Sequence, residues 1–319
     1  EILFTRCYFE KEIAYNNEIV IHSSKNTIVK INECTFQDAI NKNYIVYIDE
    51  DNIEDVKIYN CSFLFTDQNN NAAAVLSSRD KIEFLGNTFQ KCKSKTIHIE
   101  CQILETNSFK IIENRFIDCF KAPIIWLQNS ITSKPVIEGN TFDNIVVKDL
   151  IFEFKLLKAV DSIDFKNNTF ANFDIQSEAS GIGFKIENED TSNPLKLTFE
   201  NCYFITNKNE GAISCGINQN KGNTYLTMKE CYFKDNKHAN NGGAVFINVK
   251  NDILIEKCEF ISNSATKGSS IYIEPDFEGE PIGTKITISN CNFNQNTPIN
   301  DGISSVFIAS SSQKILQVE

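Results

Sequence analysis

The chain has 319 residues, 41% of them hydrophobic, and a formal net charge of −11 at pH 7. With that charge and no cluster of Lys and Arg, it lacks the basic stripe that binders of nucleic acid or anionic headgroups need. No apolar run is long enough to span a bilayer, so no transmembrane segment is expected. No linker rich in Pro, Gly or Ser interrupts the sequence, so residues 1–319 are predicted to form one domain.

Eleven phenylalanines recur along the chain at intervals of 26 to 34 residues, a period typical of solenoid proteins. In chain order they are Phe9, Phe36, Phe63, Phe89, Phe116, Phe142, Phe170, Phe204, Phe233, Phe260 and Phe293. The residue five before each Phe is apolar, and so is the residue seven before it, except at Pro135. This alternation predicts a short strand ahead of each Phe.

The residue two before each Phe is always Cys or Asn. These positions are Cys7, Cys34, Cys61, Asn87, Asn114, Asn140, Asn168, Cys202, Cys231, Cys258 and Cys291. Residues two apart on a strand point the same way, so these side chains should face inward with the Phe. Stacked from repeat to repeat, they are predicted to form an interior structural ladder of thiols and amides.

A second short apolar run follows each Phe, as at residues 45–48 and 244–247, and it is rich in β-branched and aromatic residues. Polar turns rich in Asn, Asp and Gly separate the runs. One repeat cannot bury its own apolar face, so the repeats must stack around a shared core. The sequence therefore predicts an all-β fold, a right-handed parallel β-helix solenoid of eleven coils.

A leucine-rich-repeat solenoid is the alternative fold, because its signature has a similar spacing. That fold requires a helical second half with Leu at helical spacing. Here the second half is rich in Asn and Gly, as at residues 240–243, and Phe rather than Leu occupies the anchor position. Both features favour the β-helix.

Asn-Thr-Phe at Asn87, Asn140 and Asn168, followed by polar residues and a short β run, resembles the repeat of pectin-lyase-like proteins. This resemblance covers nearly the whole chain. Residues 204–213 and 233–245 also resemble the repeat of the polymorphic outer-membrane protein adhesins, since Phe-x-x-Asn precedes a Gly-Ala or Gly-Gly-Ala turn. The first resemblance implies a β-helix, in a fold class that often cleaves acidic polysaccharides, and the second implies a secreted or surface role.

The cysteines leave two alternatives open, a ladder of free thiols or disulfides between neighbouring coils. Stacked Cα atoms about 4.8 Å apart lie within the range of a disulfide, but parallel Cβ vectors suit its torsion poorly. Eleven cysteines is an odd number, so at least one is free or pairs outside the chain. Cys92 and Cys119, each three residues after a Phe, form a second stacked candidate pair.

No cofactor is predicted apart from calcium at an acidic stretch after the second strand of a repeat, since loop carboxylates bind this ion. The candidate ligands are Asp49, Asp51, Glu54 and Asp55. A solvated acidic edge is the alternative. No Cys/His cluster has the spacing of a zinc site, and the three histidines fall in different repeats, so no catalytic triad is evident.

Two sequons, at Asn60 and Asn167, are candidate glycosylation sites. Each Asn stands one residue before the ladder position, so its side chain should face outward.

The expected function is a non-catalytic structural or adhesion scaffold outside the cell or at its surface. A polysaccharide-binding or polysaccharide-cleaving β-helix, akin to a lyase or glycosidase, is the alternative. The Asn-Thr-Asp, Asp-Asp, Gly-His-Gly and Arg-Ile-Lys motifs of such hydrolases are absent from the sequence. Strand patterns at both termini carry no cap, so we expect other chains, or more of the same chain, to stack on the ends. Carbohydrate is the other expected partner.

Overall fold

The computed structural model is an all-β parallel solenoid, and the residues that it describes include no helix. Those residues are 1–10, 17–21, 27–38, 44–49, 53–65, 73–77, 81–92, 97–100, 108–120, 125–128, 134–147, 152–156, 162–175, 184–188, 195–208, 213–216, 224–248, 252–274, 285–303, 305–309 and 316–318.

Sheet A has twelve strands, one ahead of each anchor Phe and one at the C-terminus. They are Ile2–Thr5, Thr27–Asn32, Ile53–Tyr59, Lys81–Leu85, Ser108–Ile112, Val136–Glu138, Ser162–Lys166, Leu195–Glu200, Thr224–Lys229, Ile253–Glu256, Ile286–Ser289 and Leu316–Val318. Neighbouring strands of the sheet run parallel, and each is separated along the chain from the next by the rest of a coil.

Sheet B has eleven strands of three residues, each centred on an anchor Phe. They are Tyr8–Glu10, Thr35–Gln37, Ser62–Leu64, Thr88–Gln90, Arg115–Ile117, Thr141–Asp143, Thr169–Ala171, Tyr203–Ile205, Tyr232–Lys234, Glu259–Ile261 and Asn292–Asn294.

The second apolar runs of the repeats form two further sheets. Sheet C contains Asn17–Ile21, Tyr44–Asp49, Ala73–Ser77, Ile97–Glu100, Ile125–Gln128, Phe152–Leu156 and Phe184–Asn188. Sheet D contains Ile213–Gly216, Val245–Asn248, Ile271–Ile273 and Val306–Ile308. Two small ribbons pair Val146–Val147 with Asp174–Ile175 and Ser264–Lys267 with Thr297–Ile303.

A single residue with positive φ makes the bend between each sheet A strand and the ladder position. Asn and Gly adopt this left-handed conformation most easily, and six of the eleven bends use one of them. The backbone N–H at the bend donates to the next coil, as from Glu113 N to the carbonyl oxygen of Glu138 at 2.9 Å. The bend residues are Arg6, Glu33, Asn60, Gly86, Glu113, Gly139, Asn167, Asn201, Glu230, Lys257 and Asn290.

The anchor phenylalanines stack in one column through the core. Ring centroids of neighbours are 4.7 to 5.1 Å apart and the ring planes are within 9° of parallel. Aliphatic side chains of sheets A and C, such as Ile111 and Ile125, complete the core. The predicted all-β solenoid is confirmed, and the part of the chain that is described offers no helix for a leucine-rich repeat.

Candidate functional site

The four asparagines of the ladder join successive coils through their side-chain amides. Oδ1 of Asn114 accepts from N and from Nδ2 of Asn87, both at 2.9 Å, and Nδ2 of Asn114 donates to the carbonyl oxygen of Phe84 at 2.9 Å. Asn140 and Asn168 repeat this pattern one and two coils further on. All four side chains are buried, so each amide satisfies backbone groups that no water reaches.

The cysteines occupy the remaining rungs as free thiols and make weaker versions of the same contacts. Cys34 N donates to Sγ of Cys61 at 3.4 Å, and that thiol donates to the carbonyl oxygen of Tyr59 at 3.3 Å. Burial raises the pKa of Cys61 to about 12. A thiol that stays protonated at neutral pH is a poor nucleophile, so Cys61 has the chemistry of a packing element rather than of a reactive centre.

A second asparagine ladder lies three residues after the anchor Phe in the C-terminal coils. Oδ1 of Asn236 accepts from N and from Nδ2 of Asn207, at 3.2 and 2.8 Å. Asn263 and Asn296 continue the ladder. This ladder was not predicted, although Phe-x-x-Asn at four successive anchors is a sequence signal for it. Cys92 and Cys119 hold the equivalent position earlier in the chain, buried and unbridged.

His238 organises the turn that follows the second ladder. It is 5% exposed, and its Nδ1 accepts from the backbone N–H groups of Asn240 at 2.8 Å and Asn241 at 3.0 Å. Burial lowers the pKa of His238 to about 4, because the charged imidazolium is disfavoured there. Its neutral form is therefore the one that the folded turn selects.

We expect the protein to lose stability as the pH falls from about 6.5 to about 4. In this window the unfolded chain protonates His238 and the folded chain does not, which costs about 3 kcal/mol in the free energy of unfolding. His238→Asn is the control, because its Oδ1 replaces Nδ1 as acceptor but does not titrate. Urea midpoints measured at several pH values should differ between the two proteins only below pH 6.5. Identical pH profiles would contradict the assignment.

Gly243, in the turn beyond His238, packs closely against the backbone of the next coil. A Cβ built on Gly243 would overlap the carbonyl oxygen of Ser269 and would lie 2.6 Å from that of Ser264. Both contacts are backbone atoms, which cannot swing aside.

We expect Gly243→Ala to lower the free energy of unfolding by about 2 kcal/mol, because the two coils must separate to admit the methyl group. Gly139→Ala is the comparison. There the nearest atom is the flexible Cγ of Glu113 at 3.3 Å, and only the positive φ opposes the change, so the loss should be about 1 kcal/mol. Thermal melting of both variants tests whether Gly243→Ala is the more destabilising change. An equal or larger loss of stability in Gly139→Ala would refute the prediction.

The outward face of sheet A carries a row of charged side chains. Lys57, Glu83 and Lys110 lie side by side on three neighbouring strands. Oε2 of Glu83 contacts Nζ of Lys57 at 3.3 Å, and Oε1 contacts Nζ of Lys110 at 2.9 Å. Although it points outward, Glu83 is only 5% exposed, so one carboxylate is held between two ammonium groups.

Further along the same face, acidic and basic residues alternate. Asp164 pairs with Lys134, Glu200 lies 2.9 Å from Lys166, and Lys229 lies 3.4 Å from Glu256. The ammonium of Lys166 lowers the pKa of Glu200, chiefly through a hydrogen bond. The Glu200 carboxylate is therefore ionised and paired at neutral pH.

The calcium candidates are spread over strands and a stretch outside the described residues. Glu54 is exposed and Asp55 is half-buried on Ile53–Tyr59, where Asp55 lies 3.7 Å from Nζ of Lys57. Asp49 ends the strand Tyr44–Asp49, and Asp51 lies outside the described residues. Within the described ranges, no three His, Cys, Asp or Glu side chains are grouped to hold a metal ion.

Both sequon asparagines occupy the left-handed bend between sheets A and B. Asn60 and Asn167 have φ values of 54° and 55° and are exposed. Nδ2 of Asn167 donates to Oε1 of Glu138 at 3.2 Å, in a solvent-exposed contact. A glycan on either residue would project from an edge of the solenoid.

The comparisons with known proteins concern the fold. A family model described as the right-handed beta helix region matches residues 17–152 and 156–318. No curated protein and no solved structure matches the chain. Among the described residues, no helix has the length and apolarity needed to cross a membrane. With nearly its whole length matched, the chain belongs to the right-handed beta helix family.

Proposed function

We propose that this protein is a non-catalytic structural or adhesion scaffold that works outside the cell or at its surface. The observation that carries the proposal is the pairing of the sheet A carboxylates with lysine. Oε1 of Glu83 lies 2.9 Å from Nζ of Lys110, and Asp164 pairs with Lys134. A glycosidase needs one carboxyl group free to donate a proton and a second free to act as nucleophile or base, whereas these carboxylates are held by ammonium groups.

The alternative function is binding or cleavage of a polysaccharide. The observation that favours it is the line of acidic and basic side chains along one face, which a lyase would also need. A lysine base needs a free amine, however, and Nζ of Lys57 and Nζ of Lys110 both contact the carboxylate of Glu83, at 3.3 and 2.9 Å. This pairing supports a binding or structural role over cleavage.

The proposed scaffold has eleven coils, in keeping with the eleven strands of sheet B, and forms one domain over residues 1–319. Its proposed partners are other chains, or a continuation of this chain, stacked on the terminal coils. There Phe9 and Phe293 are half-buried, and each has one ring neighbour in the column within the described residues. Glycans on Asn60 and Asn167 would fit a secreted glycoprotein.

Mass spectrometry of the native protein, with and without reduction, tests the location. Glycans on Asn60 or Asn167 are the expected result, whereas bare asparagines with eleven free thiols would oppose a surface role. Incubation with polygalacturonate and neutral glucans tests catalysis. We expect no new reducing ends and no unsaturated products. Turnover that Glu83→Gln abolishes would establish the enzymatic alternative.

A further inference from the structure

Two tyrosines stand out on the outward face of sheet B. Tyr203 is 48% exposed and lies beside Tyr232 on the neighbouring strand. Their ring centroids are 6.0 Å apart and the planes are tilted by 50°, in contrast to the parallel rings of the phenylalanine column inside. The two rings therefore do not stack on one another. Tyrosine offers an apolar ring surface together with a hydroxyl, which suits a ligand that has both kinds of surface.

These tyrosines end a row of hydroxyl side chains, which we call the hydroxyl row. On each sheet B strand the Phe points inward, so the residue before it points outward. From Tyr8–Glu10 to Tyr232–Lys234 this residue carries a hydroxyl on every strand but one, where Arg115 stands. The members are Tyr8, Thr35, Ser62, Thr88, Thr141, Thr169, Tyr203 and Tyr232.

The hydroxyl row is straight because the sheet B strands pair without any shift of register. Nine strands at about 4.8 Å spacing give a row about 38 Å long. The outward residues before and after each Phe make it about 7 Å wide.

The dimensions and charge of the hydroxyl row limit the class of ligand that it can bind. An area of about 270 Å² is far below the roughly 800 Å² that each partner contributes to a stable protein interface. Arg115 stands in the line of the hydroxyls, and Glu10, Asp143 and Lys234 stand in the column after the Phe, so the two basic and two acidic residues of this surface cancel. The whole chain carries a net charge of −11, so polyanions are poorly matched. A narrow, uncharged polymer that offers hydroxyls and apolar C–H faces fits both constraints.

We propose that the hydroxyl row, with Tyr203 and Tyr232 as stacking platforms, binds a linear neutral polysaccharide lying along the solenoid axis. The inference rests on the proposed non-catalytic surface role and supplies its ligand class. The threonine and serine hydroxyls exchange hydrogen bonds with the sugar hydroxyls, and the tyrosine rings pack against sugar C–H groups. The charged face of sheet A takes no part.

Affinity electrophoresis of the whole protein in gels containing hydroxyethyl cellulose, galactomannan or a β-1,3-glucan tests the proposal. Retardation by at least one of these polymers is expected, with none by polygalacturonate. Tyr203→Ala/Tyr232→Ala should raise the dissociation constant at least tenfold. Tyr225→Ala, on the outward face of sheet A in the same coil, is the matched control and should leave it unchanged.

Thr141→Val/Thr169→Val is a second variant, which removes two hydroxyls and keeps the side-chain shape, and it should raise the dissociation constant several-fold. Circular dichroism establishes that each variant is folded. Retardation only by polygalacturonate, no retardation at all, or full binding by the tyrosine double variant would each overturn the proposal. Self-association that the double variant abolishes would assign the face to a second copy instead. A glycosylated, non-cleaving protein that no neutral polymer retards would refute this inference and leave the scaffold role standing.

Discussion

Replacing Asn114 by leucine is expected to lower the free energy of unfolding by about 4 kcal/mol. The change leaves two buried N–H groups of Asn87, the backbone N–H and one of the two on Nδ2, without their acceptor. It also removes the donor that reaches the carbonyl oxygen of Phe84. Each buried polar group left without a partner costs about 1–3 kcal/mol. Leucine has a similar shape to asparagine, so the loss comes from hydrogen bonding and not from an empty space.

Asn114→Cys is the matched control, because cysteine fills the same position in seven other coils. At those rungs the thiol still accepts from and donates to the preceding coil, as Cys61 does with Cys34 N and with the carbonyl oxygen of Ile31. The sulfur contacts are longer and weaker, so we expect a loss of about 2 kcal/mol. If cysteine and leucine destabilise equally, the amide ladder is not what joins these coils.

The stability lost in Asn114→Leu should be visible in the hydrogen exchange of the nearby coils as well as in the free energy of unfolding. The reason is that each coil of a solenoid contacts only its neighbours. Hydrogen exchange read by mass spectrometry should speed up in residues 81–92 and 134–147, which flank the rung. Residues 252–274 are the internal control and should exchange at the original rate. Uniform acceleration along the chain would mean that the solenoid unfolds as one cooperative unit.

The sequence was sufficient to predict the core columns, because one residue position per repeat becomes one column when coils stack. The recurrence of Phe at 26 to 34 residues therefore predicted that the repeats stack around a shared core, and the structure adds that the rings themselves form a stacked column. The phase relative to each Phe carried this information, so the longer interval of 34 residues between Phe170 and Phe204 did not obscure it.

Side-chain pairing was harder to predict than the columns. The second ladder was missed because only the last four coils carry Asn at its position, and Ile145 and Phe173 hold that position in the two coils before them. Lys57, Glu83 and Lys110 each stand six residues before an anchor Phe, so the period makes them neighbours, but the contacts of Glu83 with both ammonium groups depend on the rotamers of long side chains, which the period does not determine. Glu54 and Asp55 were assigned to a loop because they are acidic, but pairing with a neighbouring strand places them in sheet A.

Replacing Phe116 by alanine, near the middle of the ring column, is expected to lower the free energy of unfolding by about 4 kcal/mol. The ring is fully buried, and its neighbours Phe89 and Phe142 have centroids 5.0 and 4.7 Å away. Both are fixed by their own strands and cannot close the gap, so the lost transfer free energy and the cavity add. Phe116→Leu should cost about half as much, and the outward change Ile117→Ala on the same strand less than about 1 kcal/mol.

A double-mutant cycle tests whether contacts between neighbouring rings add to the stability that the burial of each ring provides. Phe116→Ala combined with Phe142→Ala should be less destabilising than the sum of the two single changes, because each removes contacts that the other has already lost. Phe116→Ala combined with Phe260→Ala, whose ring lies several coils away, should be additive within about 0.5 kcal/mol. Urea midpoints of the single and double variants give both coupling energies. Additivity in the first pair would mean that the rings contribute one by one, and the column would then be a consequence of the repeat and not a source of its stability.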